Sequence, residues 1–408
     1  MNKQYTGWLA IFAVASLLAA CKTPSISKPP VVTPPVVAPV TPVTAPVAPL
    51  PPIFTASKWD MLPDWATLDL TPSWSALLQS CRVLKNKPQW QAVCVGAEGV
   101  AKNDNQAQRA FYEDKMQPYQ IMNPDGSELG TITGYYEPLL KGSRFKSERF
   151  RYPLYAVPDD MLEIDLGDVY PQLKGQRLRG RLSGKKVLPY YKRAEIDAGT
   201  EGLKGRELFW VDNAVELFFL QIQGSGRIEL VDGRQIKVGY ADQNGQPYVS
   251  IGRKLVEMGE MKLEEASMQS IKAWGEKNPS KLTALLEQNP SYVFFRELPD
   301  TLSAPLGALG VPLTNEYSIA VDPKSIPLGA PVYLATTHPN SSAPLNRLML
   351  AQDTGGAIRG AVRADFFWGF GDKAASQAGR MKQQGRMWVF FPKGAEPAQP
   401  AMPPLNKF

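Results

Sequence analysis

One histidine and three cysteines are all that 408 residues offer, and this scarcity removes most of the usual catalytic chemistry. His338 lies in the polar stretch Thr336-Thr337-His338-Pro339-Asn340-Ser341-Ser342, which reads as an exposed loop tip. A zinc site of His and Cys ligands cannot readily be assembled from one loop imidazole and two thiols, and a Ser-His-Asp triad would have to use that loop. No phosphate-cradling Walker loop is present, and Gly224-Ser225-Gly226 lacks the remaining spacing of a dinucleotide fingerprint. No metal and no cofactor are therefore expected. The chain also lacks a dense Lys/Arg run, which argues against nucleic acid as a partner, and after residue 20 it has no apolar run long enough to span a bilayer. Chemistry should run on carboxylates.

What the N-terminus does contain is Lys3 followed by an apolar stretch over residues 8–20, short for a membrane span but suited to a signal-peptide core. It closes on Leu18-Ala19-Ala20-Cys21, which resembles the bacterial lipobox, in which the cysteine is lipidated and becomes the first mature residue. Lys22 follows in place of an aspartate, and by resemblance to enterobacterial lipoproteins this points to the outer membrane, periplasmic face. Residues 23–52 are mostly Pro, Val, Thr and Ala, a composition that favours extended polyproline II and buries no core. At about 3.1 Å per residue this tether could hold a domain up to roughly 90 Å from its anchor.

The remainder is long enough for two domains. A formal net charge of +6, reduced by one when Lys3 leaves, suits an acidic polymer without requiring one. Cys81 and Cys94 stand thirteen residues apart in what should be an oxidising compartment, so they could form a disulfide or remain two small buried thiols. Residues 71–106 show helical spacing, with Trp74, Leu77, Leu78 and Cys81 on one stripe and Trp90, Val93, Cys94 and Ala97 on another. From about residue 115 short apolar runs predict strands, among them 129–136, 207–211, 218–222, 235–239 and 318–321. A helical interlude is expected over 249–286, with Leu255, Met258, Met268, Ile271 and Trp274 on buried faces, and a late strand at Trp388-Val389-Phe390-Phe391.

Three aspartates in the last third keep unusual company. Asp322 precedes a proline and reads first as a turn former. Asp353, before Thr354-Gly355-Gly356, could cap a turn or lie where glycines let the backbone approach a ligand. Asp365 is followed by Phe366, Phe367, Trp368 and Phe370. Apolar bulk disfavours a charged carboxyl, raises its pKa and lets it hold a proton for a glycosidic oxygen. Neighbours on a strand alternate faces, so this setting makes the role plausible without establishing it.

Residues 311–388 resemble the "3D" domain, named for three aspartates, of the membrane-bound lytic murein transglycosylase A family. The resemblance extends upstream through Thr133-Gly134-Tyr135-Tyr136-Glu137-Pro138, Arg193-Ala194-Glu195-Ile196, Gln221-Ile222-Gln223-Gly224-Ser225-Gly226, Tyr248-Val249-Ser250-Ile251-Gly252 and Gln288-Asn289-Pro290-Ser291-Tyr292. It covers nearly the whole chain beyond the tether.

That resemblance implies a mainly β fold with a few helices: a double-psi β-barrel assembled from both chain ends, residues 53–138 and 287–400, with a second β domain inserted over 139–286. It implies a groove between them for peptidoglycan glycan strands, and Asp365 as the single catalytic residue, releasing 1,6-anhydromuramic ends. Asp353 is expected beside it. Thr133, Tyr135, Tyr136, Gln223, Ser225 and Arg359 are the candidates for holding glycan, although on a strand one of Tyr135 and Tyr136 should turn into a core. Glu137 stays open between a second useful carboxylate and a surface charge. Two rivals remain, a hydrolase using Asp353 as base on the same fold and a non-catalytic peptidoglycan-binding lipoprotein. A monomer is the default for a tethered enzyme.

Overall fold

Proline opens both helices of the first pair, at a position where its missing N–H costs nothing. Strand β1 (Phe54–Ala56) precedes α1 (Thr71–Leu84) and α2 (Pro88–Glu98). Trp74, Leu77 and Cys81 of α1 and Trp90, Val93, Cys94 and Ala97 of α2 are buried, as their spacing predicts, whereas Leu78 is half-buried and Leu84 is buried in addition. Cys81 and Cys94 are bonded to each other, with Cα atoms 5.2 Å apart, and clamp the pair. The computed structural model describes residues 53–397 apart from Gly175 and Arg177. The expected signal sequence, Cys21 and the proline-rich tether lie outside the described residues.

A third helix, α3 (Asn105–Lys115), extends the helical region up to where strands were expected to take over; the Asp104 carboxylate caps it by accepting from the Ala107 N–H. Then follow β2 (Met116–Ile121), β3 (Gly130–Glu137), β4 (Leu139–Ser143), β5 (Tyr152–Tyr155), β6 (Met161–Ile164), β7 (Leu178–Ser183), β8 (Lys186–Pro189), α4 (Arg193–Asp197) and β9 (Glu207–Val211). The run 218–222, expected as a strand, lies instead inside helix α5 (Ala214–Gln223). Local capping decides this: Asn213 accepts from the N–H groups of Val215 and Glu216, and Gly224, at φ 76°, ends the helix in the left-handed conformation.

The middle of the chain continues through β10 (Ser225–Glu229), β11 (Gln235–Gln243), α6 (Ile251–Glu257), α7 (Met268–Lys277), α8 (Pro279–Leu286) and β12 (Val293–Glu297). Leu255, Ile271 and Trp274 are buried and Met268 is half-buried, but Met258 is exposed because α6 stops one residue before it. The last third supplies β13 (Ser318–Val321), β14 (Pro331–Thr337), β15 (Pro344–Asp353), β16 (Ala364–Phe370), α9 (Asp372–Ala378) and β17 (Lys382–Pro392). His338, in the β14–β15 hairpin loop, is half-buried rather than exposed; its N–H donates to the Ala343 carbonyl.

The fold is thus mainly β with a few helices. Eight strands from both ends of the described chain pair in the order β1-β2-β17-β14-β15-β13-β16-β3, and β17 also pairs with β3, so the ladder from β17 through β14, β15, β13, β16 and β3 returns to β17. Two of its pairs are parallel, β13 with β15 and β16 with β3. The middle of the chain forms a six-stranded sheet, β12-β11-β10-β4-β9-β5, and a three-stranded one, β6-β7-β8. Strand β12 falls beyond the expected start of the second barrel segment at 287, yet it pairs with β11. The six-stranded sheet keeps its own core around Leu140, Phe209, Ile228 and Phe295.

Candidate active site

Strand β3 is the element on which the site is built, because it touches both end-derived strands and the middle sheet. Its Thr133 is the register partner of Asp365 on β16. On its other side, Asp365 registers with Ala320 of β13, and Ala320 registers in turn with Asp353 of β15. The two aspartates therefore flank one strand, with backbones roughly 10 Å apart from the ordinary strand spacing.

Alternation along β16 sends Ala364, Phe366 and Trp368 into the main core, while Phe367 joins a small apolar cluster with Tyr135, Leu313, Ala320 and Ile358. The four aromatics after Asp365 thus do not all surround it; Phe367 shares its face, and Trp368 packs against Gly134, where a Cβ would lie 2.7 Å from the indole nitrogen.

Asp365 is half-buried, and its Oδ1 accepts a 2.6 Å hydrogen bond from the Thr133 hydroxyl. The Thr133 oxygen itself accepts from the Arg363 guanidinium at 2.9 Å, which turns the hydroxyl proton towards Asp365. Burial raises the Asp365 pKa above the ordinary carboxyl value, while the Thr133 hydrogen bond and the Arg363 charge pull it back. Among the described residues no protein donor reaches Oδ2 of Asp365 within hydrogen-bond distance.

Asp353 is held differently. Its Oδ1 accepts from the N–H groups of Ala308 and Thr354, each at 2.9 Å, and its Oδ2 accepts from the Tyr135 hydroxyl at 2.9 Å. Burial pushes its pKa up to about 6 against these hydrogen bonds, with the charge of Asp365 adding to the rise. Tyr135 is buried with its ring 5.0 Å from that of Phe367, and burial holds its pKa far above the ordinary phenol value, so it stays a donor. It fixes Asp353 and presents no open face to a sugar.

The other expected residues divide. Tyr136 points to the opposite face of β3, where with Phe219, Met268 and Phe370 it lines a cavity of about 450 Å³. Gln223 accepts from the Tyr136 N–H at 3.1 Å and ties the end of α5 to β3. Ser225 is buried at the start of β10, paired with Gly239. Arg359 is exposed and donates to the carbonyls of Gly355 and Ile358 in its own loop, so it does not join the Asp365 cluster.

Glu137 is neither a surface charge nor part of that cluster: it is buried and ion-paired at 2.9 Å to Arg227, whose guanidinium lies 3.8 Å from the Phe370 ring centroid. Asp322 does form a turn, accepting from the Lys324 N–H, and also pins the 354–363 loop through the Gly360 N–H.

Arg363 is the site residue that the sequence reading missed. Its signal was its place two residues before Asp365, which on an extended chain puts both side chains on one face. The backbone N–H of Ala308 carried no signal at all.

The family model described as "MltA specific insert domain" matches residues 131–296, and the "3D domain" matches residues 317–391. The membrane-bound lytic murein transglycosylase A of Escherichia coli K12 is 34% identical over 296 residues, which cover 71% of this chain and 72% of that protein. The crystal structure of MltA from Neisseria gonorrhoeae superposes with a TM-score of 0.75 at 42% identity, covering 85% of this chain and 94% of that one. That of E. coli MltA with bound chitohexaose gives 0.63 at 28% identity, covering 83% and 94%. Thr133 falls in the first matched segment and Asp353, Arg363 and Asp365 in the second, so the cluster is assembled across both. By sequence and by fold, the chain belongs to the membrane-bound lytic murein transglycosylase A family.

Proposed function

We propose that this protein is a peptidoglycan lytic transglycosylase in which Asp365 alone serves first as acid and then as base. One contrast carries the reading: Asp365 is half-buried with Oδ2 clear of protein donors, whereas both oxygens of Asp353 are taken. A protonated Asp365 donates its proton to the oxygen joining C1 of N-acetylmuramic acid to N-acetylglucosamine. The C1–O bond breaks, and the muramyl ring gains oxocarbenium character. The new Asp365 carboxylate, steadied by the Thr133 hydroxyl, takes the proton from the C6 hydroxyl of the same ring. O6 closes on C1, giving a 1,6-anhydro ring without consuming water and restoring the acid.

A hydrolase would need a second carboxylate free to activate water. Asp353, bound by three donors, is poorly placed for that and serves instead to hold Tyr135 and the loop around Ala308. The chitohexaose bound to the E. coli relative supports a β-linked amino-sugar polymer as the ligand class.

In the same reading the six strands whose ladder returns to β17 form a double-psi β-barrel, supported by the two parallel pairs β13–β15 and β16–β3. The middle sheets are its insert. Acylation at Cys21 in the outer membrane, on the periplasmic face, and a monomeric state complete the proposal.

The test is mass spectrometry of soluble products from isolated sacculi. The protein should release muropeptides ending in 1,6-anhydro-N-acetylmuramic acid, and Asp365→Asn should lose roughly a thousandfold or more in turnover while still binding sacculi. Hydrated reducing ends, or full activity in Asp365→Asn, would overturn the mechanism.

A further inference from the structure

The three-stranded sheet β6-β7-β8 turns two arginines inward and leaves apolar side chains in solvent. Register partners share a face, so Leu162, Ile164, Leu178, Gly180, Leu182, Val187 and Pro189 lie on one side and Met161, Glu163, Arg179, Arg181, Ser183, Lys186 and Leu188 on the other. In an ordinary sheet with one wet face, the apolar side would turn inward. Here Arg179 and Arg181 turn inward from the other side, while Glu163, Lys186 and Leu188 on that side stay exposed. Arg179 is nearly buried and pairs with Asp242 at 2.8 Å, the Arg181 guanidinium sits 4.2 Å over the Tyr191 ring, and Met161 packs against the cluster of Tyr155 and Tyr190. On the apolar side Gly180 is buried and Ile164 and Leu178 are half-buried, but the hairpin end is left in solvent, with Leu182 65% and Val187 52% exposed.

Charge is arranged along this sheet as well. The turn of the β7–β8 hairpin carries exposed Lys185 and Lys186, while the exposed Asp165 and Asp168 follow β6 at the opposite end, since Ile164 pairs with Leu178 and Met161 with Arg181. Exposed apolar residues stand at both ends, Leu166, Val169 and Tyr170 beside the aspartates and Leu182 and Val187 beside the lysines, so charge selects the basic tip as the end that complements an anionic lipid bilayer.

The size of the face favours the same occupant. Three strands of about four residues span on the order of 200 Å². That is well short of the roughly 800 Å² per partner of a stable protein interface, which argues against a second copy. A small amphipathic contact suits a chain that already has another hold on the membrane, because stable anchoring is built from two weak signals.

We infer that the β7–β8 hairpin docks on an anionic lipid surface through Leu182 and Val187, with Lys185 and Lys186 meeting the headgroups. This stands apart from the chemistry assigned to Asp365. Docking would bring the domain down onto the bilayer; release would let it work at the length of its tether.

The inference is tested on the whole mature chain carrying Cys21→Ser, so that no acyl group attaches, by co-sedimentation with vesicles of phosphatidylethanolamine and phosphatidylglycerol and with vesicles of phosphatidylcholine alone. Binding should be stronger to the anionic vesicles and weaken with salt. The double change Leu182→Glu and Val187→Glu should reduce binding roughly tenfold or more. Lys185→Glu with Lys186→Glu should remove the preference for anionic lipid. Activity on isolated sacculi, which contain no lipid, should be unchanged in all of them, which also certifies that they fold. Failure of the Cys21→Ser chain to bind, or equal binding by the Leu182/Val187 variant, would overturn the inference. So would a dimer in lipid-free solution that the same variant converts to monomer, since the face would then belong to a second copy.

Discussion

Thr133 and Asp365 are register partners on parallel strands, and their side chains meet at 2.6 Å although 232 residues separate them in the chain. Arg363 donates to the same Thr133 oxygen, so the three residues form a line that ends on the carboxyl proposed to carry the reaction. The charge of Arg363 thus reaches Asp365 both directly and through an oriented hydroxyl.

Thr133→Val should move the alkaline limb of the kcat/KM profile to higher pH. The lost hydrogen bond favours the charged form, so its removal raises the Asp365 pKa and the acid form persists further. The turnover at the optimum should nevertheless fall by roughly tenfold, because the carboxyl loses its alignment. A limb that moves to lower pH would contradict the assignment of Thr133 as a donor.

Asp353→Asn should change the pH dependence of stability. Native Asp353 keeps its proton up to about pH 6, whereas an unfolded chain releases it near 4. The stabilisation from that proton is complete below the unfolded value and is lost as pH rises through the native one. Asparagine does not titrate, so the variant should gain in thermal midpoint relative to the parent as pH rises from about 4 through about 6, and no further above that. Parallel midpoint curves would show that Asp353 is not buried as a neutral acid.

Replacing both Cys81 and Cys94 by serine should cost about 3 kcal/mol, as expected for opening a short closed loop in the unfolded chain. Urea denaturation read by tryptophan fluorescence is suited to this, since Trp74 and Trp90 lie in the two clamped helices. Equal midpoints with and without reductant in the parent protein would mean that the bond adds nothing.

Arg227→Ala should destabilise by roughly 3–5 kcal/mol, because it leaves the buried Glu137 carboxylate without its counter-ion. Combining it with Glu137→Gln should recover part of the loss, which a double-mutant cycle in denaturant would measure. An additive pair would deny the coupling.

Much of this architecture was legible because local signals and packing agree. The tryptophan and cysteine stripes of α1 and α2 are both periodic and buried. Agreement failed at Phe218–Ile222, where an apolar run reads equally as strand or helix; the deciding signals were Asn213 and Gly224, outside the run. The site was half legible for a similar reason. Motifs pointed to Asp353, Asp365 and Thr133 but could not say that Thr133 bonds to Asp365 or that Tyr135 bonds to Asp353, since those contacts are set by strand register. Arg359 was a candidate through the family resemblance, yet Arg363, two residues before Asp365, holds the position that meets Thr133.

The pairing of β3 with β16 and β17 has a consequence for biosynthesis. Thr133 is made early and Asp365 late, and the ladder that aligns them closes only when residues 382–385 reach β3. A nascent or truncated chain that ends before β16 carries the threonine without the aspartate, so on the proposed mechanism such a fragment should not cut the wall.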